Sequence, residues 1–257
     1  MRGLQISPVE IVRMYLDRIE EINSSTNAVV TLCGERAMAE ARAAERSLIK
    51  GESGRLTGLP FTVKDTIETA GVRTTAGSKM RANELPRADA PVVARFRELG
   101  AILLGKTNTS EFAMTFGTDN ALFGRTINPW NGKLTPGGSS GGEAALIAAG
   151  GSSIGLASDL GGSIRIPAHF CGVCGLRPTV GAVPFRGHVP DLPGPLGKLA
   201  VIGPMTRHID DLSLALGIIG TEGRLLEPKE VSAVAYFVEN GIAPATVETA
   251  DAVRSAS

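Results

Sequence analysis

The sequence holds only 3 cysteines and 3 histidines among its 257 residues, carries no net charge, and contains no long apolar run. Each shortage removes a class of function. Three cysteines are too few, and odd in number, for a disulfide framework. Cys171 and Cys174 form a C-x-x-C, but a zinc ribbon requires a second such pair. The surrounding Phe170-Cys171-Gly172-Val173-Cys174-Gly175 offers no cation to depress a thiol pKa, so these cysteines are expected to be structural. The 26 basic and 26 acidic side chains cancel, leaving no electrostatic footprint for nucleic acid or an anionic membrane. No stretch reaches the length of a membrane span, and Met1-Arg2-Gly3-Leu4-Gln5 lacks the apolar core of a signal peptide. A cytoplasmic protein is expected.

What the chain has in excess is glycine, 32 residues of it, concentrated between Gly132 and Gly187. That stretch is too apolar and too varied for a flexible linker. Glycine at such density among apolar residues means backbone approaching backbone, or backbone approaching a ligand. A site is expected there.

Local patterns predict alternating helices and strands. Ser7-Pro8-Val9-Glu10 reads as a capping box with proline in the first helical position, opening a helix to about Ile22. Further helices are predicted from about Arg36 to Lys50, from Pro91 to Leu99, from Gly141 to Ala149, from Asp210 to Ile219, and from near Thr246. Strands are predicted at Pro60–Val63, Ala101–Leu104, Ser153–Ala157 and Val234–Val238. The alternation argues for an α/β domain around a largely parallel or mixed sheet. In the last helix Val247, Ala250, Val253 and Ala256 are helically spaced and no stop signal follows, so the unit is expected to continue past Ser257.

Two short motifs mislead. Gly100-Ala101-Ile102-Leu103-Leu104-Gly105-Lys106-Thr107 matches the phosphate-binding P-loop, yet its four intervening residues read as a buried strand rather than an open loop. Lys106 is therefore expected to be structural. Gly137-Gly138-Ser139-Ser140-Gly141 matches the nucleophile elbow of α/β-hydrolases, which needs a downstream acid and histidine. His169, His188 and His208 have no triad context and are expected to be structural or surface residues.

Three separated segments make a more convincing set: Lys64 after a buried strand, Gly137-Gly138-Ser139-Ser140-Gly141-Gly142-Glu143, and Asp159-Leu160-Gly161-Gly162-Ser163-Ile164-Arg165. Taken alone, Lys64 could simply pair with Asp65 or another carboxylate. With the serines, its chemistry is coherent. A serine hydroxyl needs a base within reach. Lysine serves only when neutral, and moving its pKa from about 10.4 to near 7 takes roughly 4–5 kcal/mol of differential solvation, which burial supplies. Asp159 and Arg165 read as loop anchors, and the Ser140 hydroxyl as a cap for the following helix.

The run from Gly137 to Thr179, with Gly58-Leu59-Pro60-Phe61-Thr62-Val63-Lys64-Asp65 and Gly105-Lys106-Thr107-Asn108-Thr109-Ser110-Glu111-Phe112 upstream, resembles the amidase signature family. The resemblance extends from near Ile6 to the end of the chain. It implies an α/β fold with a mixed, largely parallel sheet flanked by helices, incomplete at the C-terminus. Residues 1–257 would form one truncated domain: a helical segment at 1–57, a catalytic core at 58–220 with the signature at 137–179, and the start of a C-terminal portion at 221–257. Met1 would fall inside the family's first helical segment. The resemblance assigns the nucleophile to Ser163, the bridging serine, held in a cis peptide, to Ser139, and the base to Lys64. It places the oxyanion hole at the N–H groups of Leu160, Gly161, Gly162 and Ser163. The implied activity is hydrolysis of a small-molecule amide to acid plus ammonia or amine through a seryl acyl-enzyme, with no cofactor, metal, nucleic acid or membrane segment. Alternatives are an inactive or partner-dependent fragment and the glutamine-amidase subunit of a transamidating complex. Ile166-Pro167-Ala168-His169-Phe170 looks closer to general and fatty-acid-type amidases, and a homodimer is left open.

Overall fold

A computed structural model describes residues 6–221, 236–239 and 241–256. The chain divides into two compact units, Met1–Leu225 and Leu226–Ser257. The first is built on a six-stranded sheet of order β1-β3-β2-β4-β6-β5, whose strands are β1 (Val29–Leu32), β2 (Pro60–Lys64), β3 (Ile102–Thr107), β4 (Ile154–Asp159), β5 (Cys174–Gly175) and β6 (Val201–Thr206). Only the centre is parallel: β2 runs with β3 and with β4, whereas β1, β6 and β5 join antiparallel. The sheet is thus mixed as expected, with its parallel character confined to the middle three strands.

Helices cover both faces. On one, α3 (Pro91–Glu98) and α6 (Ile209–Ile219) bury Val92, Val93, Phe96, Ile218 and Ile219 against Phe61, Val63 and Leu103. On the other, α1 (Pro8–Thr26) and α2 (Gly34–Ile49) bury Val12, Ile19, Ala37 and Ala41 against Ile102 and Leu104. The alternation of Leu103 and Leu104 between the two clusters is the period of two that a strand imposes. The capping box of α1 forms as expected: Glu10 N–H donates to Ser7 Oγ at 3.1 Å, and Ser7 N–H to Glu10 Oε2 at 2.8 Å. Helix α4 (Gly141–Ala148) is buried at every position and packs on the sheet and on α5 (Arg165–Cys171).

Several elements escape the sequence patterns. β1 is a short edge strand, and β6 contains Gly203 and Pro204, residues that argue against a strand. α5 begins two residues after Ser163 and carries Pro167 in its first turn, where a missing N–H is tolerated. Of the strand expected at Val234–Val238, Val234 and Ala235 lie outside the described residues, and Tyr236–Val238 have no strand pairing. In the second unit a helix (Val247–Ala256) starts where expected, with Thr249 N–H donating to Thr246 Oγ1 at 3.3 Å. Among the described residues no helix is long and apolar enough to cross a membrane.

Candidate active site

The C-terminal ends of two neighbouring parallel strands, β2 and β4, open on the same edge of the sheet, and they carry Lys64 and Ser158-Asp159. Lys64 is fully buried. Its Nζ lies 2.7 Å from Ser139 Oγ and 3.0 Å from Ser158 Oγ. It does not pair with Asp65, whose carboxylate instead accepts from Thr75 N–H at 3.0 Å and from the Thr75 hydroxyl. Lys106, the lysine of the P-loop look-alike, is a buried strand residue that donates to Ile67 O, Thr69 Oγ1 and Thr74 Oγ1. No phosphate loop exists at Gly100–Thr107; the segment is β3 and its lead-in.

Ser139 follows a cis peptide bond from Gly138. A side chain at Gly138 would fall 2.7 Å from the Gly117 backbone, so this turn is packed backbone to backbone. Thr118 locks it by donating to Gly137 O and accepting from Gly141 N–H, both at 2.9 Å. This corrects the expectation for Ser140. Its hydroxyl does not cap α4 but donates to Ser158 O at 3.3 Å, while the Gly142 N–H, one of those a cap would receive, donates to Asn108 O at 3.2 Å.

The loop bearing Ser163 winds around one carboxylate. Asp159 accepts from the N–H groups of Gly162 at 2.9 Å, Ile164 at 3.0 Å and Arg165 at 3.3 Å. The Arg165 guanidinium adds two contacts, at 3.1 and 2.9 Å. Burial opposes ionisation of Asp159, but these donors outweigh it and hold the carboxyl below its usual pKa. The expected anchoring pair is therefore present. Of the four N–H groups expected to face an oxyanion, Gly162 differs, because its N–H is committed to Asp159. Leu160, Gly161 and Ser163 have N–H groups without an acceptor among the described residues. Ser139 and Ser163 line one cavity of about 20 Å³, but among the described residues no hydrogen bond joins their hydroxyls. Wider surface hollows, such as one of about 720 Å³ along α1, contain none of the strongly perturbed groups.

Burial also sets the electrostatics. It pushes Lys64 down to about 7 despite the opposing charges of Asp159 and Glu143. It pushes Glu143, a fully buried residue of α4, up to about 7, although the hydroxyls of Thr62 and Thr107 donate to its carboxyl. The native state thus holds a proton on Glu143 that the unfolded chain, near 4.5, releases. Stability from this group is complete at low pH and is lost as pH rises through about 7, by roughly 3 kcal/mol at 1.36 kcal/mol per unit. Glu143→Gln cannot ionise, so its stability relative to the parent should rise between pH 5 and 8 in urea unfolding. A difference independent of pH would refute the assignment.

The histidines expected to be structural or surface residues divide between the two. His169 and His208 are exposed, but His188 lies in the cavity wall with Nε2 2.9 Å from Ser158 Oγ. It reaches the site through a backbone bridge to Ile67, a long-range pairing that no local pattern announces. The thiols of Cys171 and Cys174 donate to the backbone carbonyls of Pro136 and Arg207, as structural thiols do. Among the described residues no cluster of three His, Cys, Asp or Glu side chains is placed to share a metal ion.

The family model for Amidase matches residues 10–241. A glutamyl-tRNA(Gln) amidotransferase subunit of Trichlorobacter lovleyi is 44% identical over 234 residues, covering 91% of this chain and 47% of that protein. A bacterial aryl acylamidase of the amidase signature enzymes superposes with a TM-score of 0.80 at 35% identity, over 86% of this chain and 46% of its own. The peptide amidase of Stenotrophomonas maltophilia gives 0.79 at 32% identity, over 90% and 49%. The chain spans about half the length of the proteins it matches.

Proposed function

Because the chain belongs to the amidase family, we propose that it cleaves a carboxylic acid amide through an acyl-enzyme on Ser163, with Ser139 as proton relay and Lys64 as base. The observation that carries this reading is the 2.7 Å separation of Lys64 Nζ and Ser139 Oγ in a site that removes water from the amine. A lysine with a pKa near 7 is substantially neutral at physiological pH and has a lone pair to offer.

Ser163 Oγ attacks the carbonyl carbon, its proton passes to Ser139 Oγ, and the Ser139 proton passes to Lys64 Nζ. This requires the Ser163 hydroxyl to come within hydrogen-bond reach of Ser139, whose side chain lines the same cavity. The carbonyl electron pair moves to oxygen, where the N–H groups of Leu160, Gly161 and Ser163 receive it. Collapse breaks the C–N bond. The departing nitrogen takes a proton from Ser139, which Lys64 replaces. Water then attacks the ester along the same relay and releases the acid.

A fluorophosphonate tests the assignment, since it reacts with an activated serine whatever the natural substrate. Mass spectrometry of the labelled chain is expected to find the phosphonyl group on Ser163. Label on Ser139 instead, or none on a folded chain, would overturn the reading. The 44% identity to an amidotransferase subunit supports a second reading, in which the same relay releases ammonia from glutamine for a partner protein. Ammonia release from glutamine with no cleavage of aryl or alkyl amides would favour it.

A further inference from the structure

His188 is held rigidly. Its ring stacks on Phe185, centroids 4.6 Å apart, and its backbone bridges Ile67 just beyond β2. Nδ1 lies 3.0 Å from Pro190 O. A carbonyl oxygen only accepts, so Nδ1 carries the hydrogen. Burial keeps the ring neutral, pushing its pKa down to about 3 against the pull of the Pro190 hydrogen bond, with the Lys64 charge adding to the depression. A neutral imidazole protonated at Nδ1 has its lone pair at Nε2.

That lone pair faces Ser158 Oγ at 2.9 Å, so the single hydroxyl hydrogen of Ser158 is committed to His188. Ser158 Oγ also lies 3.0 Å from Lys64 Nζ, and toward Lys64 it can then only accept. A neutral amine has two hydrogens and one lone pair. With an N–H directed at Ser158, the Lys64 lone pair is free to face Ser139 Oγ at 2.7 Å. Without His188, the Ser158 hydroxyl is free to rotate and donate to Nζ, occupying the lone pair that the relay needs.

We propose that His188 is a positioning residue which, by fixing the direction of the Ser158 hydroxyl, turns the Lys64 lone pair onto Ser139. This rests on the hydrolase reading above. Lys64 is the titratable group facing His188, and Asp159 and Glu143 are those acting on Lys64.

The test measures fluorophosphonate inactivation, separating the maximal rate from the half-saturating concentration between pH 5 and 9. His188→Leu is expected to lower the maximal rate about 10- to 100-fold with half-saturation unchanged. His188→Gln, whose carbonyl can accept from Ser158, restores most of it. The double variant His188→Leu/Ser158→Ala is expected to be no slower than Ser158→Ala alone, since both act through one hydroxyl. Parental rates in His188→Leu, or losses that multiply in the double variant, would overturn the proposal. Should His188→Leu fail to fold, His188→Phe, which keeps a ring against Phe185 but offers no acceptor, carries the test, and a parental rate there overturns it equally. A parental chain that takes no label sinks the hydrolase reading itself. A labelled parent with an unchanged His188→Leu sinks this inference alone.

Discussion

Replacing Lys64 with alanine is expected to slow acylation of Ser163 by two to four orders of magnitude and to erase its dependence on pH below neutrality. The base must be unprotonated to act, and burial places its pKa at about 7. In the parent the rate should therefore fall about tenfold per pH unit below that value and level off above it. The variant has no group titrating in the relay, so its residual rate should be flat across the same window. Lys64→Met fills nearly the same volume without a lone pair and separates lost basicity from a collapsed cavity. Rates of fluorophosphonate inactivation from pH 5 to 9 decide the matter. A variant that keeps the parental rate, or the parental acid limb, removes Lys64 from its assigned role.

Gly155→Val is expected to destabilise the chain by about 3–6 kcal/mol, a large share of the stability of an ordinary domain. Valine is the residue a central strand favours, so propensity alone points the other way. The reason lies in the neighbour. Gly155 pairs with Thr62 on one side and Met205 on the other, and a Cβ there would overlap the carboxyl of Glu143. The added side chain must displace Glu143 and part it from the hydroxyls of Thr62 and Thr107, leaving buried polar groups unpaired. Urea unfolding of the two proteins measures the difference. A loss below about 1 kcal/mol would mean that α4 lifts off the sheet easily.

Much of this was legible because local chemistry decided it. The capping box at Ser7 and Glu10, the proline-led helix at Pro91 and the apolar run at Phe61–Val63 each determine their element within a few residues. The grouping of Lys64 with Ser139 was legible through resemblance and through the cost of burying a lysine. What stayed hidden depends on pairing across distance. β6 forms despite Gly203 and Pro204 because β4 offers it a complete antiparallel partner, from Ile154 opposite Thr206 to Asp159 opposite Val201. The capture of the Gly162 N–H by Asp159 is a matter of loop curvature, which residue identity does not specify. His188 carries no signal because its partner, Ser158, lies 30 positions away along the chain.

Ser158 and Asp159 sit at the end of a central strand, whereas Met114, Phe185 and Leu192, which line the same cavity, come from irregular segments between elements. A shift in a central strand disturbs every neighbour across the sheet, but an exchange in a connecting segment disturbs little beyond itself. Inheritance can therefore hold the reaction constant while the list of acceptable molecules drifts, one loop residue at a time.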